Sequence, residues 1–442
     1  MDAAEKNDMN RKRIPHLICL ILMLLIGRAL ILFMIEPVDY SIFFNRTLKN
    51  KANANGNHID MVFLGSSRPQ RTFDPEVFEK TLGLDCVYNA SSGLQPIEAS
   101  YYMLREIADR YSPEYAVLGI TGGTLFNKDS TLAKVIVLDR LHGSNKLEYL
   151  KQCFRPDEYL SAVSLIYRFR NNFTIETIRE TVREKINLYK TGFSQRQDPP
   201  DLYKDNGFVY SYQSGDIGNI ADGRFDFGKV VPENRDYLDK IVDLCKQEKI
   251  RLFLVTPPSS MMNIYNPDNY QEITDYFSAY ASEHGLHYVN LNYLKDREEW
   301  LGDRMMYDSG HVNGEGAILV SERYARTLDA VIRGDEVPDL FYGDISELKA
   351  EVHRILAVAA KISIIGGQAS VQITSRQTDG IQPLYRVSFS LDDENYVPWT
   401  DWTDKTDFVF DMSEYRGTAH FLIEAMSPSG EPGSSIRYQV PI

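Results

Sequence analysis

Between Ile59 and Gly123, short apolar runs alternate with amphipathic helical stretches, and no other feature limits the fold of this chain as tightly. Ile59–Leu64 reads as a strand, Pro75–Leu82 as a helix and Asp85–Tyr88 as a short strand. Pro96–Tyr111 follows as a helix with Ile97, Tyr101, Leu104, Ile107 and Ala108 on one face, then Tyr115–Ile120 as a strand. Strands separated by helices imply crossover units and a parallel sheet. The rhythm returns beyond Pro232, with helix Asn234–Glu248, strand Ile250–Val255, helix Tyr270–His284, strand His287–Asn290 and a helix from Glu315 to about Ile332. The expected α/β unit therefore spans residues 59–332. Ligands of such sheets gather at the carboxyl ends of the strands. Ser66-Ser67, Asn89–Gly93 and Thr121–Thr124 each follow a strand and should share one edge.

A chain of 442 residues has room for two or three domains at roughly 100–200 residues each. Its apolar fraction of 43% supplies a full core. The formal net charge of −14, with no basic stripe beyond the N-terminus, argues against a nucleic-acid partner, since that affinity comes largely from clustered Lys and Arg. Cys19, Cys86, Cys153 and Cys245 lack pair spacing, so neither a disulfide framework nor a zinc site is signalled. One disulfide among the last three stays open beside the simpler reading of buried free thiols. His142, His284 and His287 have no matching partners, and no metal or cofactor is called for.

Residues 14–35 form a nearly unbroken apolar run after Arg11-Lys12-Arg13. About 20 such residues cross a bilayer, and the basic flank belongs on the cytoplasmic side. A cleavable signal has a shorter apolar region and a small-residue cleavage site. Here the run ends in Phe33-Met34-Ile35-Glu36-Pro37, which offers none. The expectation is a cytoplasmic tail at 1–13, a single-pass anchor at 14–35, a spacer at 36–58 and everything later extracytoplasmic. Arg28 within the run either snorkels to the outer headgroups, the favoured reading, or meets a polar group on a neighbouring membrane protein.

The sheet rhythm lapses from about 127 to 232, which reads as a helical and irregular insertion. Helices are expected at Thr131–Leu141 and Ile175–Tyr189, with an irregular stretch from Phe193 to Phe227. Such stretches often serve as lids or binding loops. Tyr203, Phe208, Tyr210, Tyr212, Phe225 and Phe227 either line a cleft or pack locally. Residues 333–361 read as a linker with a helix near Ile345–Ala360. From Ile362 to the end, short alternating strands without helices suggest a small β-sandwich. Its Tyr385, Tyr396, Trp399 and Trp402 are core aromatics by default, with a sugar platform as the alternative.

The chemistry concentrates in two remote blocks, Gly65-Ser66-Ser67-Arg68 and Asp308-Ser309-Gly310-His311. Each is a weak motif alone; at opposite ends of a strand–helix alternation they are far more specific. A serine hydroxyl needs a base to take its proton, and histidine titrates in the useful range. An aspartate three residues earlier would fix the imidazole tautomer.

At these residues the chain is similar to the SGNH, or GDSL-like, hydrolase superfamily. The resemblance covers about 59–332, insertion excepted, and implies a flavodoxin-like three-layer parallel sheet. It implies Ser67 as nucleophile, with Ser66 in the family's aspartate position, and Asp308 and His311 as the other triad members. In Asn89-Ala90-Ser91-Ser92-Gly93, Gly93 is the implied oxyanion donor beside the backbone N–H of Ser67. The third block, usually Gly-x-Asn-Asp, lacks its asparagine in Gly119-Ile120-Thr121-Gly122-Gly123-Thr124. Such a donor is worth about 2.7–4 kcal/mol, so Thr121, Thr124 or Asn127 would have to substitute. Ser66, Arg68, Asn89 and Thr121 are expected to contact substrate or support the site. An anchor together with this site resembles membrane-tethered members that work beside membrane-bound O-acyltransferases in teichoic-acid D-alanylation and exopolysaccharide acetylation. That implies an O-acyltransferase or acyl esterase acting on a cell-envelope glycan. The alternative is a catalytically degenerate glycan-binding or scaffold protein.

Overall fold

Met61–Leu64 (β1) is buried along its length, and its side chains alternate between two apolar clusters. Val62 and Leu64 enter one cluster, Met61 and Phe63 the other. A strand covered on both faces belongs inside a parallel sheet. In the computed structural model, which describes residues 3–38, 40–126, 130–213, 223–295, 297–301, 305–337, 339–351, 354–378 and 380–441, β1 lies between Val87–Asn89 (β2) and Tyr115–Gly119 (β3). Arg251–Thr256 (β4) and His287–Asn290 (β5) complete a parallel sheet in the order β2-β1-β3-β4-β5. Helices Ile97–Tyr111, Pro232–Glu248 and Tyr270–His284 cover one face through Leu104, Ile241 and Phe277. Pro75–Leu82 and Gly314–Arg333 cover the other through Phe78, Val320 and Tyr324. The strand order reverses between β1 and β3, the place where open sheets of this kind leave a crevice.

The segment expected to be a spacer is instead mostly helix, Tyr40–Ala54. Phe44, Leu48 and Ala52 follow one another at four-residue spacing, and all three are buried in the first cluster. The polar run Asn50–His58 masked that stripe, because its apolar half precedes it. The preceding helix, Ala3–Ile35, contains a 21-residue stretch, Pro15–Ile35, long and apolar enough to cross a membrane.

The insertion is more ordered than its pattern suggests. Helices Thr131–Arg140, Gly143–Cys153 and Ile175–Thr191 precede a three-stranded antiparallel sheet of Gln195–Asp198, Asp201–Lys204 and Val209–Ser211. Its first strand reads Gln-Arg-Gln-Asp, so no apolar alternation announced it; tertiary contacts hold it. The Lys204 ammonium meets the buried Asp74 carboxylate at 2.9 Å, and the Asn206 carbonyl accepts the Asn89 N–H at 2.8 Å. Tyr203 and Phe208 are buried, Tyr210 packs on Gly314, and Tyr212 is exposed.

Beyond Gly334 the helix expected to reach Ala360 ends at Glu351, and Ile355–Ile365 is a strand. Its alanines suit a helix, but it pairs along its length with Gln368–Gln377. Two antiparallel sheets, of three and four strands, share an apolar cluster that includes Val371, Val387, Phe421 and Ile423. Trp399 stacks on Phe389 at 4.4 Å between centroids, and Tyr385 is buried, so both serve the core. All four cysteines are free thiols. Burial pushes Cys86 and Cys245 up to about 12, so they pack as small apolar side chains.

Gly207 has φ +84°, and a Cβ there would lie 2.0 Å from the Asn89 carbonyl oxygen. A left-handed penalty of roughly 1–2 kcal/mol and an overlap costing about 1–3 kcal/mol add. Gly207→Ala should lower unfolding free energy by about 2–5 kcal/mol. Urea titration of the two proteins checks this, and equal midpoints would show that the turn does not brace the sheet.

Candidate active site

The chain turns sharply at the end of β1 because Gly65 adopts φ +132°. A Cβ there would come within 2.8 Å of both the Gly119 carbonyl oxygen and the Pro69 ring. Ser66 is extended, and Ser67 opens the short helix Ser67–Thr72. The Ser67 side chain thus stands at the carboxyl edge of the sheet, beside the point where strand order reverses.

The far end of the chain brings the other groups. Met306–Asp308 and His311–Val312 form a two-stranded hairpin, and the Gly310 N–H donates to Asp308 Oδ1 at 2.7 Å. His311 Nδ1 lies 2.8 and 3.0 Å from the two Asp308 carboxylate oxygens, and His311 Nε2 lies 2.8 Å from Ser67 Oγ. A carboxylate at Nδ1 assigns the proton of neutral imidazole to that nitrogen and leaves Nε2 as acceptor toward the serine. The loop between is held from outside, since the Ser309 carbonyl accepts from Asn263 Nδ2 at 2.7 Å and from the Ser260 N–H at 2.9 Å. Burial acts to raise the Asp308 carboxyl, but the hydrogen bond and charge of His311 and the Gly310 N–H outweigh it. The group is held below its ordinary value.

The loop after β2 lies along this turn, with the Ala90 N–H on the Phe63 carbonyl at 2.8 Å and the Ser92 N–H on the Gly65 carbonyl at 3.2 Å. Asn89 is buried beneath the helix that Ser67 opens. Its Nδ2 donates to the carbonyls of Pro69 at 2.9 Å and Phe73 at 3.0 Å, so it supports the helix and does not face the cleft. Gly93 stands next to Leu94, which lines the cleft. After β3, Thr124 Oγ1 accepts the Thr121 N–H at 2.9 Å, a bond that closes the turn of this loop. Thr121 lines the cleft with Gly122 and Gly123; Asn127 lies outside the described residues.

The cleft has a volume of about 310 Å³ and is lined by Ser66, Ser67, Arg68 and His311. Tyr270, Asn263, Thr274 and Asn290 line it as well, with Phe225 and Ile273 supplying apolar wall. Arg68 places its guanidinium beside Gly310, where burial pulls it below its usual value against the opposing influence of Tyr270 and Asp308. Tyr270, Asn263, Thr274 and Asn290 escaped the sequence reading. Only Asn290 carried a usable signal, as the last residue of a strand at the carboxyl edge. Asn290 Nδ2 donates to Thr274 Oγ1 at 2.9 Å, fixing this wall. Of the six aromatics from the insertion, only Phe225 reaches the cleft.

No family model and no curated protein matches the chain. Among solved structures it is similar to a GDSL-like lipase from Bacteroides thetaiotaomicron VPI-5482, at 11% identity and a TM-score of 0.29, over 65% of this chain and 99% of that one. It is also similar to a structure described as an acylhydrolase from Bacteroides fragilis NCTC 9343, at 13% identity and a TM-score of 0.28, over 65% and 97% of the two chains. A β-glucuronidase from Lactobacillus rhamnosus matches over 20% of this chain at 16% identity and a TM-score of 0.16, and this chain spans 16% of that protein's length.

The depressed Asp308 carboxyl sets a pH dependence. Its folded value lies below its unfolded one, so its contribution to stability is present above the ordinary carboxylate range near 4 and is lost as pH falls through the lower folded value. Asp308→Asn should therefore be less stable than the parent at pH 7, with the gap closing only below about pH 4. Denaturant melts at both pH values test this; a gap unchanged at low pH would mean that the carboxylate is not the source.

Proposed function

We propose that this protein is a membrane-anchored serine acyl-transfer enzyme, an O-acyltransferase or acyl esterase, acting on a cell-envelope glycan. The observation that carries the reading is the 2.8 Å approach of Ser67 Oγ to His311 Nε2, with Asp308 on the opposite ring nitrogen. As the Ser67 oxygen attacks an ester carbonyl carbon, its proton passes to His311 Nε2, and Asp308 stabilises the imidazolium. The carbonyl oxygen becomes an oxyanion, met by the backbone N–H groups of Ser67 and Gly93. Collapse breaks the ester bond, and the leaving alkoxide takes the proton from His311. An acyl-Ser67 remains. A second alcohol, or water, then gives its proton to His311 and attacks the acyl carbon; the acyl–Ser67 bond breaks, and Ser67 Oγ takes that proton back. A glycan hydroxyl makes this a transfer, and water makes it an esterase.

The apolar stretch Pro15–Ile35 supports the anchor, and its upstream basic residues support an extracytoplasmic site; a membrane-bound O-acyltransferase as donor belongs to the same proposal. A cleft lined by Asn, Thr, Ser and Tyr side chains suits a hydroxyl-rich acceptor. The missing block-three asparagine keeps the alternative, a degenerate glycan-binding or scaffold protein, as the outcome to exclude.

A fluorophosphonate probe decides between them. The parent should be labelled, whereas Ser67→Ala should give no labelling and His311→Ala a rate lower by about 10³-fold or more. A folded parent that stays unlabelled would sink the enzymatic reading and leave the scaffold. Unchanged labelling of His311→Ala would remove that residue from the chemistry.

A further inference from the structure

We infer that the insertion rests on the outer leaflet of the lipid bilayer through an apolar face beside the exit of the anchor helix. The inference depends on the proposal that Pro15–Ile35 crosses the membrane. Twenty-one helical residues at 1.5 Å each span about 30 Å, the thickness of a hydrocarbon core. The last turn, ending at Ile35, is therefore set at the boundary between acyl chains and headgroups.

The insertion grips that turn. Lys185 Nζ donates to the carbonyls of Leu32 at 3.2 Å and Phe33 at 3.0 Å, and Asn172 Nδ2 donates to the Ile35 carbonyl at 3.0 Å. The last carbonyls of a helix run out of intrahelical donors, that of Leu32 taking the Glu36 N–H at 3.0 Å as well, and a cation at a helix C-terminus is favourable. Helices Leu165–Arg168 and Ile175–Thr191 both pack on the anchor helix. The height of this part of the insertion relative to the bilayer follows from those contacts.

At that height the insertion turns large apolar side chains outward. Leu160, Val163, Phe173 and Ile175 are 54%, 59%, 51% and 80% exposed. Single exposed apolar residues are ordinary, but several on neighbouring segments beside a membrane-spanning helix suit a contact surface. Phe173 directly follows Asn172, whose amide holds the Ile35 carbonyl, so this surface begins beside the end of the anchor helix. Arg170 places its guanidinium 4.1 Å from the Tyr167 ring centroid, the pairing of aromatic and basic groups favoured at headgroup level. Continuity with a membrane-spanning helix makes lipid the occupant rather than a soluble protein.

Full-length protein in nanodiscs provides the test. In a background with Cys19→Ser and Cys153→Ser, single cysteines are introduced as Val163→Cys and Ile175→Cys, with Leu24→Cys inside the anchor and Leu391→Cys on the distal β unit as references, and each carries an environment-sensitive fluorophore. Each variant is used only if its circular dichroism and thermal midpoint match the parent. Labels at 163 and 175 should shift to the blue and lose roughly half their emission to shallow spin-labelled lipids, as for groups about 5–10 Å into the interface. The label at 391 should be unaffected. Quenching at 24 without quenching at 163 and 175 overturns the docking surface while the anchor stands. No quenching at 24 overturns the anchor and the docking together. Labels at 163 and 175 shielded from aqueous iodide in native membranes, but unquenched by lipid in nanodiscs, would assign the face to a membrane protein and overturn the lipid assignment.

Discussion

A hydroxyl and an imidazole that lie 244 residues apart in sequence approach to 2.8 Å, and the rest of the structure serves to hold that distance. No local element can fix it. The clamp is one buried serine, Ser321, on the helix that follows His311. Its Oγ accepts the Asp74 N–H at 2.9 Å and donates to the Thr72 carbonyl at 3.0 Å, where the helix opened by Ser67 ends. The helix that begins at Ser67 and the helix that begins just after His311 are thereby bonded to each other. Asn89 grips the same short helix from the sheet side. Two buried polar side chains thus set the position of a segment too short to be stable alone.

The insertion completes that brace. Arg71, one turn beyond Ser67, forms a two-point ion pair with Asp201 at 2.9 and 2.5 Å, and its guanidinium stacks 4.6 Å from the centroid of Tyr307, the residue before Asp308. One side chain therefore links the helix of Ser67, the insertion sheet and the hairpin that carries Asp308. Burial pushes the Asp74 carboxyl up even though Lys204 opposes it, so this ion pair is maintained against desolvation. Such pairs specify geometry more than they stabilise. The insertion sheet works as a buttress under the site, and of its flanking aromatics only Phe225 reaches the cleft.

How far the sequence was legible follows from where each signal resides. Strand and helix periodicity is local, so the five parallel strands and the helices between them could be read directly. Gly65-Ser66-Ser67 and Asp308-x-x-His311 stood out because their chemistry is rare in combination, and the sheet brings them together. The helix Tyr40–Ala54 was hidden by its polar end, and the strand Ile355–Ile365 by alanines that suit a helix until a partner strand pairs with them. Gln195–Asp198 has no apolar alternation at all; its neighbours make it a strand. The cleft wall of Tyr270, Thr274 and Asn290 was illegible for another reason. It is assembled from a helix face and a strand end, positions where polar residues are common and only the packing shows which way they face.

In the proposed function, the missing asparagine and the membrane anchor bear on the same step. An oxyanion hole short of one donor forgoes about 2.7–4 kcal/mol of transition-state stabilisation. For a free enzyme attacked by water, that loss is a plain handicap. For a tethered enzyme the balance differs, because a donor and acceptor held at the same membrane surface reach effective concentrations in the millimolar range without tight binding. In that proposal slow discharge to water protects the acyl-Ser67 until an acceptor hydroxyl arrives, and proximity restores the rate only for that acceptor. A second contact between the insertion and the bilayer would fix which way the cleft faces as well as how near it stands. In the proposed function, transfer is therefore favoured over hydrolysis through placement, with the same three side chains performing either reaction.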